Sequence, residues 1–204
     1  MIKQLSASEV NYLALYIGMR EVFGVEEELN EPQAMNSLLE KGIINKKNLP
    51  EKEAVMLVES IRRYNTADYY IHFQNIVIAI FDKKWCIVKR KQEEEQTYQF
   101  AMAPIESGMR LLVAHPLIAY EVFKDLQLRK DSYLLIELFD KDKVLIDTLA
   151  MKYKEGQYYG LDTKLPPSFQ QEKSEIVAWL LCTMEEEYGE IFKRVIKEVQ
   201  NGGE

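Results

Sequence analysis

The sequence predicts an α/β protein of the α+β kind, in which a three-helix N-terminal stretch leads into a mainly antiparallel sheet covered by helices. A long C-terminal helix or helix pair closes the chain. Three observations carry this expectation. Apolar residues recur at helical spacing from Val10 to Ile61. From Tyr69 the pattern changes to β-branched and aromatic runs separated by turn residues. After Pro166-Pro167 the helical spacing returns. With 204 residues, 47% apolar and 29% charged, the chain has the balance of a globular protein that can bury a sizeable core.

Ser6 or Ser8 can cap a first helix with Val10, Leu13, Ala14 and Ile17 on one face, and Gly24 offers a stop. Pro32 suits the first turn of a second helix, whose stripe of Ala34, Met35, Leu38 and Leu39 ends at Gly42. A third helix is expected from about Glu51 to Tyr64, with Ala54, Val55, Leu57, Val58 and Ile61 inward. Strands follow at Tyr69–Phe73, Ile76–Phe81, Trp85–Arg90 and Thr97–Met102, and Lys89 to Gln96 reads as a charged hairpin tip projecting from the sheet. Pro104 opens a helix that Pro116 breaks or restarts. Ser132–Phe139 and Val144–Met151 form a second hairpin around Asp140–Lys143, with Tyr158 and Tyr159 on a further strand. Strands followed by a covering helix thus occur twice. No Gly/Ser linker divides the chain, so the expected organisation is a helical subdomain at 1–66 and a sheet with covering helices at 67–204, in one continuous body.

The net charge of −7 disfavours a phosphate backbone as partner, and no apolar run approaches a membrane span. The opening MIKQLSASEV lacks the features of a secretory signal, so a cytoplasmic location is expected. Cys86 and Cys182 lie far apart with no CxxC and read as two buried reduced thiols. His72 and His115 have no sequence-near ligand partners and read as structural or surface groups. The acidic triplets at Glu26, Glu93 and Glu185 have no calcium-loop spacing and read as solvated faces. None of the common nucleotide, hydrolase, metalloprotease or kinase motifs is present, so no catalytic residue, metal or cofactor is expected. Tyr69, Tyr70, Trp85, Tyr98, Tyr158 and Tyr159 are aromatics of the type that favours interfaces, with sheet packing as the plainer explanation.

The N-terminal order Leu5-Ser6-Ala7-Ser8-Glu9, then Leu13, Leu15 and Gly18, then Leu38-Leu39-Glu40-Lys41-Gly42-Ile43-Ile44, then Leu57-Val58, resembles the EspG-like secretion-associated proteins of type VII (ESX) systems. The motif covers about the first third of the chain, and the Lys, Glu and Ile content looks like a Firmicutes-type relative. The resemblance implies a cytoplasmic, non-enzymatic chaperone or adaptor that holds a helical secreted substrate, of the WXG or LXG type, soluble before export. It also implies contacts from a sheet hairpin and a C-terminal helical region, here around Trp85 to Tyr98 and Ile176 to Ile196. The residues taken there as candidate partner contacts are Trp85, Lys89, Arg90, Tyr98, Trp179 and Met184. Two other readings stand beside it. One is an immunity protein whose acidity suits a basic toxin. The other is a winged-helix-like DNA-binding regulator, against which Glu51, Glu53 and Glu59 on the third helix would face phosphates.

Overall fold

The first helix is set by a reciprocal cap. Ser6 Oγ accepts from the Glu9 amide at 3.2 Å while Glu9 Oε2 accepts from the Ser6 amide at 2.7 Å, so two otherwise orphaned donors are satisfied together. This opens α1 (Ala7–Tyr16) directly from the short strand β1 (Leu5–Ser6). Glu9 is 2% exposed, and its carboxylate also accepts from Ser37 Oγ at 2.6 Å and Lys41 Nζ at 2.7 Å. It therefore locks the start of α1 to the end of α2 (Glu31–Glu40).

In this computed structural model the described residues are 3–123, 126, 128, 131–155, 157–160, 170–171 and 176–202. The expected break at Pro166-Pro167 lies outside them. The chain divides into two compact units, Met1–Tyr70 with Asn75–Ala103 and Ile71–Gln74 with Pro104–Glu204. Among the described residues no helix is long and apolar enough to cross a membrane.

In the first unit α1 ends at Tyr16, earlier than the Gly24 stop the sequence suggests. Gly18, at φ +79°, takes the left-handed position, and Met19 N returns to Ala14 O at 2.9 Å. Asn30 caps α2 through the Gln33 amide, Pro32 sits in its first turn, and Gly42 follows at φ +61°, as expected. A 3-10 turn at Lys52–Ala54 leads into α3 (Val55–Asn65), which buries Val58, Ile61 and Tyr64. Here the expected inner face needs correction: Val55 is 52% exposed and Leu57 only half-buried, because the covered stripe runs through Ala54, Val58, Ile61 and Tyr64. The strands are β2 (Tyr69–Phe73), β3 (Ile76–Phe81), β4 (Trp85–Gln92) and β5 (Thr97–Pro104), and the order is β1-β5-β4-β3-β2. The three leading helices therefore share a unit with these strands.

In the second unit the order is β2-β6-β7-β8-β9, with Ile71–Phe73 of β2 belonging here. The strands are β6 (Ser132–Asp140), β7 (Leu145–Lys154), β8 (Gln157–Gly160) and β9 (Gln170–Gln171). The pairs β1–β5, β3–β4, β6–β7, β7–β8 and β8–β9 are all antiparallel, giving the mixed α/β architecture with an antiparallel sheet. Leu134, Ile136 and Leu138 alternate inward along β6 and are fully buried. Pro116 does restart the helix: α4 (Ile105–Val113) gives way to α5 (Pro116–Val122), capped where His115 Nδ1 accepts from the Leu117 amide at 3.3 Å. The C-terminal region is a helix pair, α6 (Ile176–Thr183) and α7 (Glu186–Gln200). The second of these buries Tyr188, Phe192 and Val195 on one face.

Replacing Glu9 with Ala removes the acceptor for Ser6, Ser37 and Lys41 at once, and should cost about 2 kcal/mol, since Lys41 is itself partly solvated. Thermal unfolding should show Tm lowered by roughly 4–8 °C. An unchanged Tm would mean that Glu9 is not a tie between α1 and α2.

Candidate functional site

The stretch joining α1 to α2, residues 19–30, has almost no regular structure, yet it is fastened through its backbone by side chains. Asn11 Nδ2 donates to Glu26 O at 2.8 Å and Glu28 O at 2.9 Å. Asn65 both accepts from the Phe23 amide and donates to Glu21 O, each at 2.9 Å. Tyr64 Oη donates to Phe23 O at 2.9 Å, and Ser8 Oγ accepts from the Asn30 amide at 2.7 Å. At the centre is Lys89, whose ammonium donates to Gly24 O and, at 3.4 Å, to Phe23 O.

Lys89 corrects the sequence expectation most sharply. Its residue is 4% exposed, and Nζ lies over the rings of Tyr64 at 5.7 Å and Tyr98 at 5.6 Å. β4 continues to Gln92 and β5 begins at Thr97, so the turn between them is only Glu93 to Gln96. Lys89 is an interior clamp rather than part of a projecting tip. Burial pushes its pKa down to about 8, with Glu26 pulling in the opposite direction. Two residues along the strand, Lys91 pairs with Glu26, and the hydrogen bond from Lys91 holds that carboxyl below its usual range. Gly24 suits this position: it sits at φ +64°, and a Cβ there, 2.6 Å from Nζ, would displace the Lys89 ammonium.

The other candidate contact residues separate by burial. Trp85 is 44% exposed and Arg90 is exposed, so both are available to a partner. Tyr98 is fully buried under the Lys89 ammonium, and Met184 is 5% exposed between α6 and α7; both are core residues. Trp179 is half-buried on α6 and donates Nε1 to Asp147 Oδ2 at 3.2 Å. Tyr69 and Tyr70 pack the sheet, Tyr70 lying 4.9 Å from Phe23 and 5.9 Å from Tyr64 between ring centroids. Of the two cysteines Cys86 is buried as expected, whereas Cys182 is exposed on the solvent side of α6.

Both histidines fall in the second unit, where Gln74 sits between them. His72 Nδ1 meets Glu137 Oε2 at 2.8 Å and its Nε2 meets Gln74 O at 2.8 Å. Gln74 Nε2 lies 2.8 Å from His115 Nε2 and donates to Tyr133 O at 3.1 Å. Every ring nitrogen is thus engaged with protein groups, counting the α5 cap on His115 Nδ1. Burial lowers the His115 pKa. The arrangement braces the turn after β2, where Gln74 holds φ +54°. Among the described residues no three His, Cys, Asp or Glu side chains gather in a metal-binding cluster.

Sequence reasoning missed the apolar groups left in solvent. In the first unit Met56, 60% exposed, lines a groove of about 250 Å³ with Leu57, Phe100 and Met102, and with Lys3, Glu53 and Ser60 as its polar members; Val55, its neighbour in the chain, is 52% exposed. In the second unit Val144, Leu145 and Ile146 are 46–59% exposed at the β6–β7 tip. The signal for the tip was present: three consecutive apolar residues beside a charged turn cannot all face inward on a strand. The signal for the groove was weaker, since Val55, Met56, Leu57 and Val58 cover more than half the circumference of a helix.

Because the Lys89 pKa is depressed from 10.5 to about 8, the folded state binds fewer protons than the unfolded one between those values. Stability should therefore be lost as pH falls from about 10.5 through about 8, by on the order of 3 kcal/mol. Denaturant unfolding across this range, with Lys89→Met as reference, should show wild-type stability rising with pH relative to the variant. Parallel curves would refute a buried, burial-shifted Lys89.

No curated protein and no solved structure matches the chain. Residues 2–188 match the family described as Domain of unknown function (DUF5081). With nearly the whole chain covered, the protein belongs to the DUF5081 family.

Proposed function

We propose that this protein is a non-enzymatic, cytoplasmic chaperone or adaptor that holds a helical type VII secretion substrate, of the WXG or LXG type, soluble before export. The observation that carries the reading is the groove beside α3. Met56 is 60% exposed in a lining shared with Leu57, Phe100 and Met102, with the charged groups of Lys3 and Glu53 at its edge, and Val55 next to it in the chain is 52% exposed. Two methionines in such a lining can re-pack around differently shaped apolar partners. The N-terminal resemblance to EspG-like proteins supplies the class of client. The work done is masking: an apolar helix face that would drive aggregation is covered until a later binding event removes it. A stable complex of this kind needs roughly 1,600 Å² of total interface, so the groove is an anchor within a larger contact.

The same helix speaks against duplex binding. Arg62 and Arg63 both donate to Glu59, so a carboxylate stands between the two guanidinium groups and would meet any phosphate brought to them.

Co-expression with a helical WXG- or LXG-type substrate tests the proposal. The wild-type chain should raise the soluble yield of the client and elute with it as one stoichiometric species. Met56→Glu, at an exposed position, should weaken that co-elution about tenfold or more. Client solubility that does not depend on the wild-type chain would overturn the proposal. Inhibition of an isolated toxin domain lacking its helical region would favour the immunity reading instead.

A further inference from the structure

The fastened stretch between α1 and α2 forms one wall of a second cleft, of about 310 Å³. Its apolar surface is Leu15, Val25 and Leu29, with Leu15 42% and Leu29 43% exposed, and Tyr16 beside Leu15 is 46% exposed. Its rim carries Glu21, Glu27 and Arg20. Residues 20–31 hold five carboxylates against the one guanidinium of Arg20. Among the described residues, only Glu26 of these five is in an ion pair, with Lys91. Apolar groups in water and uncompensated carboxylates therefore stand side by side, on a backbone that Asn11, Asn65 and Lys89 hold in one conformation.

We infer that this cleft docks an amphipathic helix of a partner protein, with apolar anchors in the cleft and Lys or Arg along its flanks meeting Glu21, Glu27 and their neighbours. This deepens the chaperone reading and rests on it for the identity of the partner as a helical protein. The chemistry selects the occupant. Leucine-sized anchors at helical spacing fit an apolar cleft, and opposite charge at the rim steers the approach and rejects acidic helices. A second copy of this chain is the wrong occupant, since a two-fold contact would set the same acidic stretch against itself in a molecule of net charge −7. Because side chains already fix the stretch, little ordering is left to oppose binding.

Fluorescence anisotropy with two designed peptides tests this on the full-length chain. Both carry leucines at helical spacing; one has lysines on the remaining face and the other glutamates. The lysine peptide should bind wild type at least roughly tenfold more tightly than the glutamate peptide, with affinity falling as salt is added. Glu21→Lys with Glu27→Lys should reverse the preference, a gain for the glutamate peptide that misfolding could not produce. Leu29→Asp should weaken both. Equal affinity for the two peptides, or a preference unmoved by the double variant, would overturn the inference. So would a concentration-dependent dimer in sedimentation that Leu29→Asp dissolves. A helical client that co-elutes with wild type and with the double variant equally would remove this cleft while leaving the chaperone proposal standing.

Discussion

A buried ammonium group organises the first unit. Lys89 leaves β4 into the interior, where isolation of its charge would cost several kcal/mol. The surroundings offset that cost with two backbone carbonyls, at Phe23 and Gly24, and with the faces of Tyr64 and Tyr98. The compensation also works in reverse. A stretch lacking helix or strand hydrogen bonds needs its backbone groups satisfied elsewhere, and the carbonyls of Glu21, Phe23, Gly24, Glu26 and Glu28 all find side-chain donors. Lys89 and the 19–30 stretch each supply what the other lacks.

This constraint bears on function through rigidity. Irregular backbone is usually mobile and loses entropy when it binds. Here it is held before any partner arrives, so the backbone that carries Glu21 and Glu27 is fixed beside Leu15 and Leu29. The groove at α3 is different in kind: its apolar members include two methionines, Met56 and Met102, and its charged members, Lys3 and Glu53, are of opposite sign. On the chaperone proposal the two would divide the labour, adaptable apolar cover at α3 and charge selection at the α1–α2 cleft.

The architecture was largely legible because its elements announce themselves locally. The Ser6–Glu9 spacing is a capping box, Pro32 and Gly42 bracket α2, and the β-branched runs from Tyr69 to Met102 and from Ser132 to Met151 are strands. What was not legible depends on distant partners. Gly18 and Gly24 are both helix-stop candidates in sequence; only the carbonyls that Lys89 needs show that Gly24 serves a lysine and Gly18 the helix. Lys89 looks like one more charge in the run Lys89-Arg90-Lys91; strand alternation places it on the same side as Ile87, but only the distant carbonyls of Phe23 and Gly24 account for a cation there. Tyr98 and Met184 lie in the two segments that the family resemblance implies as partner contacts, and burial places both in the core instead. The His72–Gln74–His115 bracing spans more than 40 residues of chain and leaves no local pattern.

Amide hydrogen exchange of wild type against Lys89→Met tests the central role of the buried lysine most directly. If Lys89 holds the stretch, the Phe23, Val25, Glu28 and Asn30 amides should lose protection in the variant, while those of α2 and β3 keep theirs. Unchanged exchange from Phe23 to Asn30 in a folded Lys89→Met protein would contradict the account, and would mean that Asn11, Asn65 and Tyr64 hold the stretch without it.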